Sequence, residues 1–395
     1  MIMKFKMNLI VLLVACFIHA NAQKVNVKNE VRTAEQQVNT MLKVIDTISS
    51  GPKKNLVEPR TLVNGRLKMI NSNDWTSGFF PGVLWYLYDF TGKAEWKAQA
   101  QKFTELIKKE QFSKNTHDLG FMIYCSFGNG YRLTKDTAYK NVIIQAAKSL
   151  STRYNPKTGL IRSWDHNADK WKYPVIIDNM MNLEMMFMAT EFSGDSSFYK
   201  IAVSHANHTL NNHFRADASS YHVVDYDPEN GSVRMKVTHQ GYADESAWAR
   251  GQAWGLYGFT MCYRFTKDPA YLKQAEAIAK FILTNQNLPA DKVPYWDYNA
   301  PNIPNAPRDA SAAAITASAF YELATYSKAA AYKNQADYIL ASLTNNYRSP
   351  LGENSGFILL HSTGHLPAKS EIDVPLNYAD YYYMEALKRS GGFKK

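Results

Sequence analysis

The sequence predicts an all-α protein folded as a closed (α/α)6 barrel of six helical hairpins, with a small β-hairpin inserted near residues 220–240. Three observations lead to this fold class. One turn motif recurs five times, the segments on its two sides have helical patterns of different burial, and strand-like sequence is confined to one region. A repeat at a coarse period indicates the architecture before any single helix does.

The opening helix is predicted near residues 31–48, and the closing helix near residues 378–388. Between them, the recurring motif is a Thr or Ser followed five positions later by an aromatic residue. The hydroxyl residue suits a helix cap, and the aromatic falls in the first turns of the next helix. Each copy therefore predicts a corner between two helices. The five copies are Thr91/Trp96, Thr134/Tyr139, Ser193/Phe198, Thr266/Tyr271 and Ser327/Tyr332.

The helices on the two sides of each corner differ in character. Those after the corners have the spacing of half-exposed helices, as at Trp96, Phe103 and Ile107. Those before the corners are apolar or small on most sides, which is typical of buried helices. The count is about twelve helices, six inner and six outer. The alternative, an open α-solenoid, would need more regular periods than the 43, 59, 73 and 61 residues between successive corners.

Strand-like sequence is confined to the long insertion between Phe214 and Asp244. The stretches SYHVVDY and SVRMKVTH are rich in β-branched and aromatic residues, and together they predict one hairpin. Insertions of variable length between the helices also favour a barrel with a site built up at one face.

The N-terminal residues have the pattern of an export signal. Lys4 and Lys6 precede an apolar stretch at residues 9–18, and small residues follow at 20–22. The apolar stretch is shorter than the roughly 20 residues that span a bilayer. We therefore expect residues 1–22 to be a cleaved signal peptide.

Residues 23–395 are expected to form a single domain in the periplasm. The alternative is a lipoprotein anchored through Cys16, because the residues just before it resemble a lipidation box. No later segment is apolar enough to predict a transmembrane helix. The formal net charge of +10 favours anionic partners, but no dense Lys/Arg run or zinc-finger spacing indicates nucleic-acid binding.

Polar residues recur at the start of the inner helices. Counting back sixteen residues from four corners reaches Trp75, Asp118, Arg250 and Ser311, and Asp178 lies fifteen before its corner. Sixteen helical residues span roughly 24 Å, the length of one inner helix. If the inner helices are parallel, these residues surround one mouth of the barrel.

Two interpretations of the acidic residues at this mouth remain open. Asp is a favoured helix cap and interacts well with a helix N-terminus, so Asp74, Asp118, Asp178 and Asp309 could be structural. Their neighbours favour a carbohydrate cleft, because indoles stack on sugar rings and imidazoles and guanidinium groups bind hydroxyls and acidic substituents. Those neighbours are Trp75, His117, Trp248, Arg250 and Trp254.

Two carboxylates are the minimum for acid-base attack at a glycosidic centre. Like charges placed close together would raise one pKa and make that group an acid near neutral pH. Neither a metal nor a cofactor is expected, because HExxH and clustered Cys/His spacings are absent from the sequence. A GxSxG elbow for a serine nucleophile is absent as well.

Five motifs together resemble the unsaturated glucuronyl hydrolases of glycoside hydrolase family 88, and the resemblance runs from about Trp75 to the final helix. The combination is more specific than any one piece. The motifs are DWTSGFFPG at 74–82, THDLGF at 116–121, IIDNMMNLE at 176–184, THQGYADESAWARGQAWGLYG at 238–258 and DASAAAITASA at 309–319.

The resemblance implies an α/α-barrel glycoside hydrolase that acts on products of an upstream polysaccharide lyase. Its substrates would be small anionic oligosaccharides from chondroitin, hyaluronan or heparin-type chains, with a C4–C5 double bond in the terminal uronate. Such enzymes hydrate the double bond, and a hemiketal then collapses and releases the sugar. By resemblance, Asp178 would protonate C4, and Asp118 would hold the ring hydroxyls and assist.

The remaining site residues also come from the resemblance. Four would line the cleft, namely Trp75, Trp164, Arg250 and Trp254. Three would form hydrogen bonds to the unsaturated uronate, namely His117, His222 and Gln240. The segment at 361–377 precedes the last inner helix and could reach the leaving sugar, but its sulfate preference stays open.

Three other functions compete with this one. An unsaturated rhamnogalacturonyl hydrolase would share the fold and reaction but take pectin fragments. A catalytically silent α/α-barrel sugar-binding protein would keep the tryptophans without needing both Asp118 and Asp178. A sugar epimerase on a similar barrel would depend on histidine acid-base chemistry.

Overall fold

The computed structural model describes residues 25–49, 55–327 and 330–391. The predicted signal peptide at residues 1–22 and the alternative lipidation site, Cys16, lie outside these residues. No helix within the described part combines the length and apolar character that crossing a bilayer requires.

The described residues form twelve α-helices arranged as six hairpins, as predicted. The inner helices are α2 (Phe79–Thr91), α4 (Asn129–Thr134), α6 (Leu183–Ser193), α8 (Ala249–Thr266), α10 (Ala310–Leu323) and α12 (Asn377–Ser390). The outer helices are α1 (Val27–Ser49), α3 (Ala94–Leu106), α5 (Thr137–Ser151), α7 (Ser196–Asn212), α9 (Pro269–Thr284) and α11 (Ala331–Asn346). A π-helical segment (Gly120–Gly128) leads into α4, and a 3₁₀ turn (Ile177–Asn182) leads into α6.

The inner helices close into a ring. Each contacts the next in chain order, with the π-helical segment and the 3₁₀ turn taking part, and α12 returns to pack on α2. The helices α8, α10 and α12 are buried along most of their length. This closure confirms the predicted barrel and excludes an open solenoid.

The corners are built differently from the prediction. The hydroxyl of Thr134 donates to the Gly130 carbonyl one turn earlier, and it accepts the backbone N–H of Asp136. The carboxylate of Asp136 then caps α5 by accepting the Ala138 N–H at 2.8 Å. Asp195 and Asp268 cap α7 and α9 in the same way. In these corners, the cap of the outer helix is therefore an aspartate two residues after the predicted hydroxyl.

The aromatic residue of the corner motif packs as expected. Trp96, Tyr139, Phe198 and Tyr271 are all buried. Tyr139, for example, packs edge-on against Phe127 with ring centroids 5.3 Å apart. Each of these rings therefore joins its outer helix to the core.

The predicted hairpin is present as β6 and β7, but strands also occur elsewhere. In chain order they are β1 (Glu58–Val63), β2 (Arg66–Ile70), β3 (Tyr154–Asn155), β4 (Leu160–Ile161), β5 (Pro174–Ile176), β6 (Val223–Tyr226) and β7 (Val233–Val237). They form three antiparallel sheets, β1-β2, β3-β4 and β5-β6-β7. Confining the strands to one region was therefore wrong. Three of the missed strands, β3, β4 and β5, have only two or three residues, which is too few to give a periodic pattern.

The sheets lie where the site is built. Strand β5 runs directly into the 3₁₀ turn that holds Asp178, and it pairs with β6. In β1, Thr61 bridges to Leu376 at the start of α12. Cys125 and Cys262 are buried free thiols within the barrel.

Candidate active site

The N-termini of neighbouring inner helices meet at one mouth of the barrel. Asp118 lies just before the π-helical segment, and Asp178 lies in the 3₁₀ turn before α6. These two elements approach closely because Gly120 has no side chain: a Cβ there would lie 2.6 Å from Asn182 Cα. The Asn182 side chain also accepts the Phe121 N–H at 3.1 Å. The backbone packing therefore fixes how the two carboxylates approach each other.

Asp178 is the more deeply buried carboxyl of the two. Only 7% of the residue is exposed, and among the described residues its Oδ1 has no hydrogen-bond partner. Burial raises the pKa of this carboxyl to about 7; the positive charge of Arg250 opposes the rise, and the negative charge of Asp118 adds to it. At neutral pH the carboxyl is therefore protonated in about half of the molecules, as a proton donor requires.

His222, the residue directly before β6, faces Asp178. Its Nδ1 accepts the backbone N–H groups of His239 and Gln240, at 3.1 and 3.0 Å. Burial keeps the pKa of His222 well below its usual value, so the ring is neutral and its proton is on Nε2. That nitrogen lies 3.7 Å from Asp178 Oδ1, and the described residues give it no hydrogen-bond partner. The Nε2–H of His222 and the Oδ1 atom of Asp178 are thus both available to a ligand at the same place.

Asp118 is held from two sides and is reachable from solvent. The Thr116 hydroxyl donates to Asp118 Oδ2 at 2.7 Å, and His117 Nε2 lies 3.1 Å from Oδ1. The Asp118 side chain is 17% exposed, whereas His117 is buried. Burial lowers the pKa of His117, which favours a neutral ring beside the carboxylate. Asp118 is therefore oriented, and accessible to a polar ligand.

Arg250 lies at the start of α8 and is almost completely buried. Its Nη1 donates to Asp309 Oδ2 and to the Thr363 carbonyl, both at 2.7 Å, and Nη2 donates to the Gly364 carbonyl at 2.5 Å. The guanidinium also stacks on Trp248, 4.5 Å from the ring centroid. The positive charge of Arg250 lowers the pKa of Asp178, but the hydrogen bonds of the guanidinium go to other residues.

The three predicted cleft tryptophans differ in exposure. Trp75 is half-buried and packs against Tyr378, with centroids 5.1 Å apart. Trp164 is half-buried and stacks on His166 at 5.0 Å. Trp254 is fully buried, and its indole lowers the pKa of Asp178. Trp75 and Trp164 can therefore offer ring surface to a ligand, whereas Trp254 belongs to the floor of the site.

Gln240 joins the hairpin region to the segment at 361–377. Its side-chain Nε2 donates to the Gly364 carbonyl at 3.1 Å. His365, in the same segment, contacts the carbonyl of His239 through Nε2 at 3.0 Å. The resemblance implied that His222 and Gln240 form hydrogen bonds to the unsaturated uronate, and helix periodicity could place neither residue. In the structure His222 lies beside Asp178, and Gln240 contacts the Gly364 carbonyl that also binds Arg250.

The other two capping candidates, Asp74 and Asp309, are structural. Asp309 accepts the N–H groups of Ser311 and Ala312 and therefore caps α10 while it holds Arg250. Asp74 accepts the N–H of Thr76 and binds Arg60. The capping interpretation is thus right for Asp74 and Asp309, whereas the carboxylates of Asp118 and Asp178 do not cap a helix.

Sequence reasoning missed some residues at the mouth. Tyr378 was identified only as the start of the closing helix, yet it packs between Trp75 and Arg250. The carbonyls that hold Arg250 could not be predicted, because backbone groups carry no sequence signature.

Within residues 25–49, 55–327 and 330–391, no group of three or more His, Cys, Asp or Glu side chains is arranged to hold a metal ion. The chemistry that the described side chains offer is proton transfer by a buried carboxyl, beside a second carboxylate and neutral imidazoles. That combination suits acid-base chemistry on a sugar.

Comparison with known proteins gives one consistent family. Residues 53–265 match the model of Glycosyl Hydrolase Family 88. An unsaturated glucuronyl hydrolase of Formosa agariphila is 52% identical over 322 residues, covering 81% of this chain and 80% of that protein. An unsaturated chondroitin disaccharide hydrolase of Streptococcus pneumoniae is 34% identical over 330 residues, covering 81% of this chain and 83% of that protein.

Solved structures agree with these sequence relatives. The crystal structure of an unsaturated glucuronyl hydrolase specific for heparin superposes with a TM-score of 0.87 at 46% identity, covering 92% of this chain and 96% of that one. The enzyme from Streptococcus agalactiae superposes with a TM-score of 0.85 at 31% identity, covering 94% of each chain.

Proposed function

The chain belongs to glycosyl hydrolase family 88, and from this premise we propose that Asp178 is the proton donor of its reaction. The enzyme is a glycoside hydrolase that removes unsaturated glucuronate from glycosaminoglycan oligosaccharides. The observation that carries the proposal is the buried Asp178 carboxyl, whose pKa is raised to about 7 beside Asp118. The fold alone would not assign this role, since one fold hosts many chemistries.

In the proposed mechanism, Asp178 acts first as an acid and then as a base. Its carboxyl proton moves to C4 of the terminal uronate while the C4–C5 double bond breaks, which leaves positive charge at C5 and the ring oxygen. Water adds at C5 and gives its proton to the Asp178 carboxylate. The hemiketal at C5 then opens to a ketone, and the hemiacetal left at C1 releases the remaining sugar as an alcohol.

The other groups at the mouth would position the ring. Asp118 would accept hydrogen bonds from ring hydroxyls, since it is already oriented by Thr116 and His117. The neutral Nε2–H of His222 would donate to the substrate beside Asp178. Trp75 and Trp164 would offer stacking surface. None of these roles requires a metal or a cofactor.

Turnover can be followed directly, because hydration removes the ultraviolet absorbance of the double bond. We would mix purified protein with lyase-generated disaccharides from heparin, chondroitin, hyaluronan and pectin. We expect loss of absorbance with the glycosaminoglycan disaccharides. The greater similarity to the heparin-specific structure, 46% against 31% for the streptococcal one, leads us to expect the highest kcat/KM with the heparin product. Turnover of pectin fragments alone would support a rhamnogalacturonyl hydrolase instead.

We also propose that the protein is exported and works downstream of a polysaccharide lyase. The basic, apolar and small residues at positions 1–22 support export to the periplasm. The lyase is implied by the substrate, because elimination chemistry creates the double bond that this enzyme would hydrate. Finding Gln23 as the mature N-terminus would support signal-peptide cleavage, whereas a lipid on Cys16 would support the lipoprotein alternative.

A further inference from the structure

A groove of about 870 Å³ opens at the rim of the same mouth. It lies between the segment after β2 and the segment that joins α3 to the π-helical turn. Its volume falls in the range of about 300–1,000 Å³ that is common for ligand sites. The residues that give it chemical character are Asn71, Asn73, Lys109, Phe112, Asn115 and Thr116.

The groove adjoins the catalytic carboxylates. Thr116 lines it and also donates its hydroxyl to Asp118 at 2.7 Å. Asn73 lines it and precedes Asp74, which binds Arg60 at 2.7 Å. The same arginine binds Glu371, in the segment at 361–377 that borders the site. Thr116 therefore joins the groove to Asp118, and Arg60 joins the segment beside Asn73 to the segment at 361–377.

The polar groups of the groove are available to a ligand. Asn71, Asn73 and Asn115 are exposed, and none of their side-chain amides has a hydrogen-bond partner in the described part of the chain. Lys109 is exposed and forms no ion pair with a described residue. Free amides bind sugar hydroxyls as donors and acceptors at once, and a free ammonium suits a carboxylate or sulfate substituent.

Phe112 adds an apolar surface to this polar groove. It is 62% exposed, more than any other large hydrophobic residue in the described part of the chain. An exposed ring keeps unfavourable contact with water, which a stacked sugar ring would relieve. Aromatic surface beside free amides is the composition of a carbohydrate subsite.

Hydrogen bonds of buried side chains hold the groove in shape. The buried Glu110 carboxylate accepts the Ser72 hydroxyl at 2.5 Å, which joins the two walls. The Ser149 hydroxyl of α5 donates to the Gln111 carbonyl at 2.6 Å, which fixes the segment beside Phe112. A preformed site loses less entropy on binding than a loop that must order.

We propose that this groove binds the sugars of the substrate that lie beyond the first leaving sugar. The inference rests on the proposed function, in which the unsaturated uronate is the terminal residue and occupies the mouth. All remaining sugars must then extend from one side of Asp118 and Asp178. The groove adjoins Asp118 through Thr116, and it offers amide, ammonium and aromatic groups to an anionic oligosaccharide. The enzyme is therefore built to bind tetrasaccharides and longer products better than disaccharides.

The test compares unsaturated heparin disaccharide with unsaturated heparin tetrasaccharide. For the wild type, Phe112→Ala and Asn73→Ala, kcat/KM is measured on both substrates. The tetrasaccharide-to-disaccharide ratio should fall roughly three- to tenfold in each variant, mainly through KM of the tetrasaccharide, because one stacking or hydrogen-bonding contact is lost. Two matched controls lie away from the groove: Leu351→Ala, an exposed apolar residue, and Asn334→Ala, an exposed amide of α11.

A binding measurement separates this inference from the reaction. In an Asp178→Asn background, calorimetry gives Kd for both oligosaccharides with and without Phe112→Ala. A tetrasaccharide preference that Phe112→Ala removes supports the groove, even if the wild type hydrolyses neither substrate and the proposed reaction is wrong. If Phe112→Ala and Asn73→Ala change the tetrasaccharide-to-disaccharide ratio of kcat/KM no more than the two controls do, the groove does not bind the substrate. This result would overturn the inference even if the disaccharide is hydrolysed.

Discussion

Replacing Asp178 with Asn tests the central role of the site. The change keeps the shape of the side chain but removes the proton that the carboxyl donates. General acid-base catalysis contributes about 10²- to 10⁴-fold, so kcat on an unsaturated disaccharide should fall by at least about 10²-fold. KM should change little, because the contacts of Asp118, His222 and the tryptophans remain.

The same substitution has a calculable effect on stability. Burial raises the pKa of Asp178 from 3.8 to about 7, so the folded protein binds the proton more tightly than the unfolded chain. Stability from this group is fully present below pH 4 and is lost as pH rises to about 7. At roughly 1.4 kcal/mol per tenfold change in proton affinity, the loss is on the order of 4 kcal/mol. The variant lacks this loss.

The measurement is the free energy of unfolding by denaturant at pH 4, 6 and 8, with kcat followed by ultraviolet absorbance. Relative to the wild type, Asp178→Asn should gain stability between pH 4 and pH 8. Asp46→Asn is a matched control, because Asp46 is an exposed residue of the outer helix α1. It should change neither kcat nor the pH dependence of stability.

Two results would refute this reasoning separately. If kcat of Asp178→Asn stayed within tenfold of the wild type, the proton would come from another group. If the stability difference between variant and wild type were the same at all three pH values, the pKa of the buried carboxyl would not be raised. If Asp178→Asn were inactive but its stability difference from the wild type did not change with pH, Asp178 would still be the proton donor. The explanation by a raised pKa would then be wrong.

Three further predictions follow from the same geometry. In the wild type, kcat should fall as pH rises through about 7, because the acid form of Asp178 is lost; a pH-rate profile checks this. Arg250→Met should move the fall of kcat to higher pH, because a charge that lowers the pKa of Asp178 is removed. The same change should lower the free energy of unfolding by about 3–5 kcal/mol, because it leaves Asp309 unpaired. Gly120→Ala should reduce kcat about 10²-fold, since its Cβ would lie 2.6 Å from Asn182 Cα and displace the elements that carry both carboxylates; retained kcat would exclude that constraint.

The barrel could be predicted because its main determinants are local. The corner motif reports the end of one helix and the start of the next, and helix burial follows from the apolar pattern around each corner. Even the wrong detail was local: the cap of α5 is Asp136, two residues after Thr134. Strands such as β5 could not be predicted, because three residues have no measurable period and their pairing with β6 is distant in sequence.

For the site, the sequence predicted the positions of the two carboxylates but not their environments. Position along the inner helices identified Asp118 and Asp178 as candidates, since helix length converts sequence spacing into distance. Their unequal environments could not be derived in this way, because the pKa of Asp178 depends on burial and on charges brought from other hairpins. Gln240 was beyond periodicity too, since it lies in an irregular loop. That residues 23–395 form a single domain stays a prediction.

The pairing of Arg250 explains why a buried carboxyl beside an arginine can still act as an acid. A guanidinium bonded directly to a carboxylate favours its ionised form and lowers its pKa. Here the hydrogen bonds of Arg250 go to Asp309, Thr363 and Gly364. Asp309 caps α10 and also neutralises Arg250. The positive charge of Arg250 therefore lowers the pKa of Asp178 by less than burial raises it. The proposed acid, Asp178, thus depends on an aspartate that belongs to a different hairpin and need not touch the substrate.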